Sequence, residues 1–141
     1  MSTPAGLLLD TPVVAEVRGS SPDPGVVAFL RSRSHLRIFV SALTLAELDS
    51  QESPDGWLDE FIHRFSGNIL PVSHHVAVAW RSLPQAPSAE TSDAREAFRS
   101  LIAATAIEAG LTIVTHETGA YEAYGAPAVS PLRNFGAAQG V

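Results

Sequence analysis

The chain has no cysteine, no lysine and a single methionine. Without cysteine there is neither a disulfide framework nor a thiolate metal site, so any metal must be held by oxygen or imidazole, and a reducing cytosol is the natural setting. Without lysine, all nine fixed positive charges are arginines, set against fifteen acids for a net charge of −6. That balance opposes general, sequence-independent nucleic-acid binding, which depends on neutralising phosphates. No segment approaches the roughly 18 apolar residues of a membrane span. The opening MSTPAGLLLD also lacks the basic leader and apolar run of a signal peptide. The expectation is a soluble, cytoplasmic protein with no membrane partner. A glycine-rich GxGxxG or Walker-type segment is missing after the first apolar run, which excludes nucleotide binding of that kind.

What is present is enough for a core. The 141 residues are 45% hydrophobic, which suits one domain over residues 1–141. Strand-like and helix-like segments alternate. Leu7 to Leu9 form a short apolar run ending at Asp10, and Pro24 opens a helix over GVVAFLRSR. Leu36 to Val40 is the next strand, after which Ser41 caps a helix through Leu48. Trp57, Leu58, Phe61, Ile62 and Phe65 have helical spacing in a segment from about Asp55 to Phe65. Ile69 to Val72 reads as a brief strand, His75 to Leu83 as a helix, and PQAPSAETS as a surface connection.

The last long helix has the best-marked ends. Asp93 to Glu96 make an acidic capping box, Gly110 is a left-handed cap, and Ala94, Ala97, Phe98, Leu101 and Thr105 define an inward stripe. Leu111 to Val114 follow as a continuous apolar strand, as in a parallel sheet covered on both faces. The expected fold is a three-layer α/β domain whose short, mostly parallel sheet is flanked by helices. Right-handed crossovers then gather the strand C-terminal ends, and with them ligand sites, on one edge.

Asp10 falls at that edge, either as a cap or as a functional carboxylate, and Glu47 lies in the helix after the second strand, either as a dipole partner or facing the same edge. His74 and His75 are adjacent and so do not share a helix face, which argues against a paired metal ligand. Trp57 and Trp80 have core spacing and read as packing residues. The densest basic segment is RSRSHLR, with Arg31, Arg33, His35 and Arg37 within seven residues. It is either an RNA contact, through Arg31 and Arg33, or a solvated helix end suited to the dipole.

Three stretches carry a family resemblance. LLLDTPVVAEVR resembles the opening LLDTNVVSEL pattern of PIN-domain proteins of the VapC toxin type, FVSALTLAEL resembles their second acidic motif, and SLIAATAIEAGLTIVT resembles their C-terminal part. The resemblance implies a Mg²⁺- or Mn²⁺-dependent endoribonuclease with four acids at the sheet edge, because hard cations prefer carboxylate oxygen and activate water while stabilising charge on phosphate. It also implies a homodimer and an antitoxin partner. Asp10 and Glu47 match the first two acids. The third falls at Arg99, the fourth at Ala120, and the family's VTRN becomes Val114, Thr115, His116, Glu117; Pro12 replaces the usual Asn.

Half of the implied carboxylates are therefore replaced, one of them by a permanent cation that cannot deprotonate. Arg99 either pairs with Asp10 and Glu47, standing in for the ion, or projects away and pairs with Glu96. The resulting expectation is an impaired or inactive PIN-domain protein, with no cofactor if it is a pseudonuclease. The alternative is an active enzyme binding Mg²⁺ or Mn²⁺ through Asp10, Glu47 and Glu117, with His116, Asp93 and Glu96 as further candidates.

Overall fold

The structure, a computed structural model, describes residues 5–19, 21–48, 56–85 and 93–132. Five strands form one parallel sheet: β1 (Gly6–Leu9), β2 (Arg37–Ser41), β3 (Ile69–Leu70), β4 (Thr112–Val114) and β5 (Ala128–Val129), in the order β3-β2-β1-β4-β5. β1 is central, pairing Leu7 with Ile38 on one side and with Thr112 on the other. A central strand covered on both faces has no solvent side, so an unbroken apolar run is what it requires. All four of its residues are buried. At Gly6 a Cβ would lie 2.5 Å from the Arg37 carbonyl oxygen, so the closest approach of β1 to β2 needs glycine.

Side chains alternate across the sheet into two cores. Leu8 and Ile113 face one layer, with Ile102, Ala103, Leu111 and Tyr121. Leu7, Leu9 and Val114 face the other, with Val13, Val26, Phe29 and Phe61. Helices α1 (Thr11–Arg18), α2 (Pro24–Ser32) and α4 (Trp57–Arg64) supply the second layer, while α5 (His74–Arg81), α6 (Ala94–Ala109) and α7 (Thr118–Glu122) supply the first; α3 (Ala42–Glu47) follows β2 directly. Trp57 meets Phe61 edge to face at 6.4 Å, and Trp80 donates its indole N–H to Ser100 Oγ at 2.8 Å, so both tryptophans pack. No helix among the described residues is long and apolar enough to cross a membrane.

The three-layer parallel α/β architecture read from the sequence is the one observed, with local corrections. β2 runs one residue later than expected, and β3 stops at Leu70 because Pro71 has no N–H to continue the ladder. α5 begins at His74 and ends at Arg81, earlier than His75 to Leu83. The expected inward stripe of α6 is rotated: Ala94 is exposed, Ala97, Phe98 and Leu101 are half-buried, and Ser100, Ile102, Ala103, Ala104, Thr105 and Ala106 are buried. Small residues allow the second half of α6 to pack against the sheet and α5 at once. The PQAPSAETS connection falls mostly on 86–92, and the Asp55 helix start on 49–55, outside the described residues.

Leu8 has no exposure at the centre of β1. Leu8→Ala removes its packing against both neighbouring strands and the helix layer, and should cost about 3 kcal/mol of unfolding free energy in a denaturant titration.

Candidate functional site

Asp10 is where β1 becomes α1. Its backbone N–H donates to the Val114 carbonyl at 3.0 Å, extending the sheet by one bond, and its own carbonyl accepts from Val13 and Val14 as the first turn of α1 closes. Its side chain also caps that helix, Oδ1 accepting from Thr11 N–H at 3.0 Å. Cap and site geometry therefore coincide. The carboxylate is only 6% exposed and is met by two further donors: Tyr121 O–H to Oδ1 and Thr115 Oγ1 to Oδ2, both at 2.7 Å. Burying a carboxylate is costly unless its oxygens are hydrogen-bonded, and here three donors supply that requirement.

Tyr121 was not among the candidates from sequence. It lies on α7, a five-residue helix, with 2% exposure. Its phenol pKa is raised far above the ordinary tyrosine range, first by burial and then by the adjacent Asp10 carboxylate, so it remains a donor throughout the accessible pH range.

Glu47 closes α3, which has only six residues. A carboxylate there gains nothing from the helix dipole, which favours cations at that end. It is held instead by Thr11, whose Oγ1 donates to Glu47 Oε1 at 2.8 Å. Since that hydroxyl proton is committed, the 2.9 Å contact between Thr11 and Thr44 has Thr44 as donor. Asp10 and Glu47 thus share Thr11, one through its backbone and one through its side chain.

Arg99 projects from α6 into the same pocket but does not reach either carboxylate. Its Nη1 is 3.1 Å from Glu96 Oε2 and its Nη2 2.7 Å from Glu117 Oε2, and its side chain is 19% exposed. The reading in which Arg99 pairs with Asp10 and Glu47 is corrected. Glu117, displayed just after β4 with its N–H bound to Thr115 Oγ1 at 3.0 Å, intercepts the guanidinium, and Glu96 holds its other edge. Glu96 in turn accepts from the Tyr124 hydroxyl. The cavity between these groups measures about 390 Å³ and is lined by Asp10, Pro12, Glu47, Phe98, Arg99 and Tyr121, among others.

The remaining candidates lie elsewhere. His116 Nε2 is 3.0 Å from Glu16 Oε2 on α1, away from the cavity lining. Asp93 is used as the cap of α6, accepting from Glu96 N–H at 2.8 Å. His74 and His75 are exposed at the start of α5, their rings 3.9 Å apart. Arg31 and Arg33 end α2 on the edge where the strands begin, opposite to Asp10. Ala120 is half-buried in α7 and does not line the cavity.

These donors do not fit a Mg²⁺ or Mn²⁺ site. Among the described residues no three His, Asp or Glu side chains are grouped where one ion could take them all. The three-carboxylate grouping of Asp10, Glu47 and Glu117 does not form, because Glu117 is turned onto Arg99. Asp10 has three of its roughly four lone-pair positions occupied by protein donors.

Substituting Tyr121→Phe should cost about 2 kcal/mol at neutral pH, since it removes a donor from a buried charge. The sign with pH follows from the raised phenol pKa. Above the ordinary tyrosine value of 10.0 the unfolded chain loses this proton and the folded chain keeps it, so stability conferred below that pH is lost as pH rises. Chemical denaturation from pH 8 to 11 should show a shallower alkaline loss in the variant than in the parent.

No family model matches the chain. It is similar to VapC ribonuclease Y4jK of Sinorhizobium fredii, 30% identical over 140 residues covering 89% of this chain and 96% of that protein. It is also similar to Toxin FitB of Neisseria gonorrhoeae, 30% identical over 82% of this chain and 90% of that one. Among solved structures, that of FitAB bound to an IR36 DNA fragment matches with a TM-score of 0.65 and 27% identity, covering 89% of this chain and 95% of that chain.

Proposed function

The chain belongs to the VapC-type toxins of the PIN-domain family, and from that premise we propose that it descends from Mg²⁺- or Mn²⁺-dependent endoribonucleases and is itself impaired or inactive in cleavage. The observation that carries this reading is the Arg99 guanidinium bound to Glu117 and Glu96 inside the pocket that also holds Asp10 and Glu47. An ion entering such a site would meet a fixed positive charge rather than a third carboxylate, and guanidinium cannot lose a proton to make way. Glu117 is the natural replacement ligand, but taking it for a metal would strand Arg99 with one partner.

The protein's own residues then have a different task. Thr11, Thr115 and Tyr121 keep Asp10 solvated by hydrogen bonds, and Arg99 compensates the acids that line the far side. Such a pocket stays assembled without a cation. We further propose that the scaffold is retained for association, with an antitoxin as the partner and a second copy of the chain as its homodimeric mate; the likeness to the FitAB complex supports the first of these.

Calorimetric titration of Mn²⁺ into the parent and into Asp10→Ala tests the central reading without requiring a known RNA target. Neither protein should show saturable binding. Saturable binding to the parent that disappears in Asp10→Ala would overturn the proposal and return Glu117 to the ligand set. In the same titration Arg99→Asp, which restores the family's third acid and releases Glu117, should gain Mn²⁺ binding that the parent lacks.

A further inference from the structure

The second concentration of chemistry lies at the opposite edge of the sheet. α2 ends and β2 begins there, bringing Arg31, Arg33, His35 and Arg37 into seven residues of a chain whose net charge is −6. Among the described residues, none of these three arginines has a carboxylate partner. Arg64 and Arg99, by contrast, are each ion-paired. Glu108, in the last turn of α6 at the same edge, forms no ion pair with any of them.

Neutral contacts orient two of the guanidinium groups without reducing their charge. The Arg33 guanidinium stands 4.0 Å from the centre of the Phe29 ring and donates to Ser32 Oγ at 2.6 Å. That of Arg37 stands 4.9 Å from the centre of the Phe39 ring and donates to Asn68 Oδ1 at 2.8 Å. Stacking on an aromatic face fixes the plane of a guanidinium and leaves its remaining N–H groups free for an incoming acceptor. Arg33 and His35 also line an open cleft of about 460 Å³ with Ser32, Thr112 and an apolar floor of Leu7, Leu36 and Val129. The dipole of α2 accounts for Arg31 in its last turn. It does not account for Arg37, which starts a strand, or for His35 between the two elements.

We propose that this edge is a second binding site, separate from the acidic pocket, which takes the phosphodiester backbone of a single RNA strand. Phosphate oxygens would supply the counter-charge that the protein withholds, through charge-assisted hydrogen bonds from oriented guanidinium groups. Among the described residues this edge has no exposed Phe, Tyr or Trp on which bases could stack, so recognition is of backbone and independent of sequence. This inference does not rest on whether the acidic pocket binds metal.

Fluorescence anisotropy with a labelled 20-residue oligouridylate, at low ionic strength and then over a salt titration, tests it. The parent should bind, with a log–log salt slope of about −2, as expected for three phosphate contacts on a single strand. Arg31→Ala/Arg33→Ala/Arg37→Ala should weaken binding at least tenfold and flatten the slope, while Arg95→Ala, which removes an exposed arginine beside the acidic pocket, should bind as the parent does. Arg31→Glu alone, at an exposed position with no ion pair among the described residues, should weaken binding several-fold and guards against misfolding of the triple variant. No binding by the parent, undiminished binding by both Arg31→Glu and the triple variant, or an equal loss in Arg95→Ala would each overturn the proposal, the first turning attention to an acidic protein partner for this edge.

Discussion

The structure around the pocket depends on keeping one buried carboxylate satisfied. Asp10 ends the central strand, starts a helix and is nearly inaccessible, so its charge must be balanced by donors fixed in place. Those donors come from Thr11 beside it and, more than 100 residues away, from Thr115 just after β4 and Tyr121 on α7. Each constrains the element it belongs to. β4 must reach the same level as β1, which the Asp10 to Val114 backbone bond enforces, and α7 must return across the sheet edge for a phenol to reach Oδ1. Hydrogen bonds to charged groups contribute roughly 1.5–3 kcal/mol each, and leaving such a group unpaired costs more. A short helix with little stability of its own is thereby tied to the sheet.

The second network is looser and differs in energetic kind. Arg99 is mostly buried, but Glu96 and Glu117 are considerably more exposed, so each ion pair contributes on the order of 1 kcal/mol or less. Its importance lies in occupancy rather than stability. Glu96 also accepts from Tyr124, so both of the chain's tyrosines serve acids in or beside the pocket, Tyr121 for Asp10 and Tyr124 for Glu96. The acids of this edge are thus shared out among protein donors before any ligand arrives. A cation would have to break two kinds of contact to collect three carboxylates.

Much of the scaffold was legible because its signals are local. Leu7 to Leu9 cannot sit half-exposed, and Asp93 and Gly110 mark both ends of α6 by capping chemistry that needs only adjacent residues. The same chemistry starts α1, where Asp10, which the sequence leaves open as a cap or a functional carboxylate, is the cap and Pro12 sits in the first turn. α7 and β5 are five and two residues long, too short for any periodicity to register. The phase of α6 was misread because a helix rich in alanine buries more than one face, and that error bore directly on Arg99, whose direction follows from the same rotation. Tyr121 could not be found by pattern at all. Its function is a contact across 111 residues, and nothing in TGAYE distinguishes it from an ordinary core aromatic.

A parallel sheet separates its two edges by construction, and this chain uses them for opposite charges. Every strand ends toward Asp10, Glu47 and Glu117 and begins toward Arg37 and the close of α2. The four-residue β1 keeps the edges only about 13 Å apart, at roughly 3.3 Å per residue. That is a little more than the distance over which physiological salt screens exposed charges. Each edge therefore presents its own field to solvent while the sheet between them stays apolar. On the acidic edge Arg99 offsets part of the charge of Glu96 and Glu117, while hydroxyl donors hold Asp10 and Glu47 by hydrogen bonds. On the basic edge the arginines are oriented by aromatic rings and amide or hydroxyl oxygens, none of which cancels charge. An overall acidic composition conceals this division, because net charge counts both edges together.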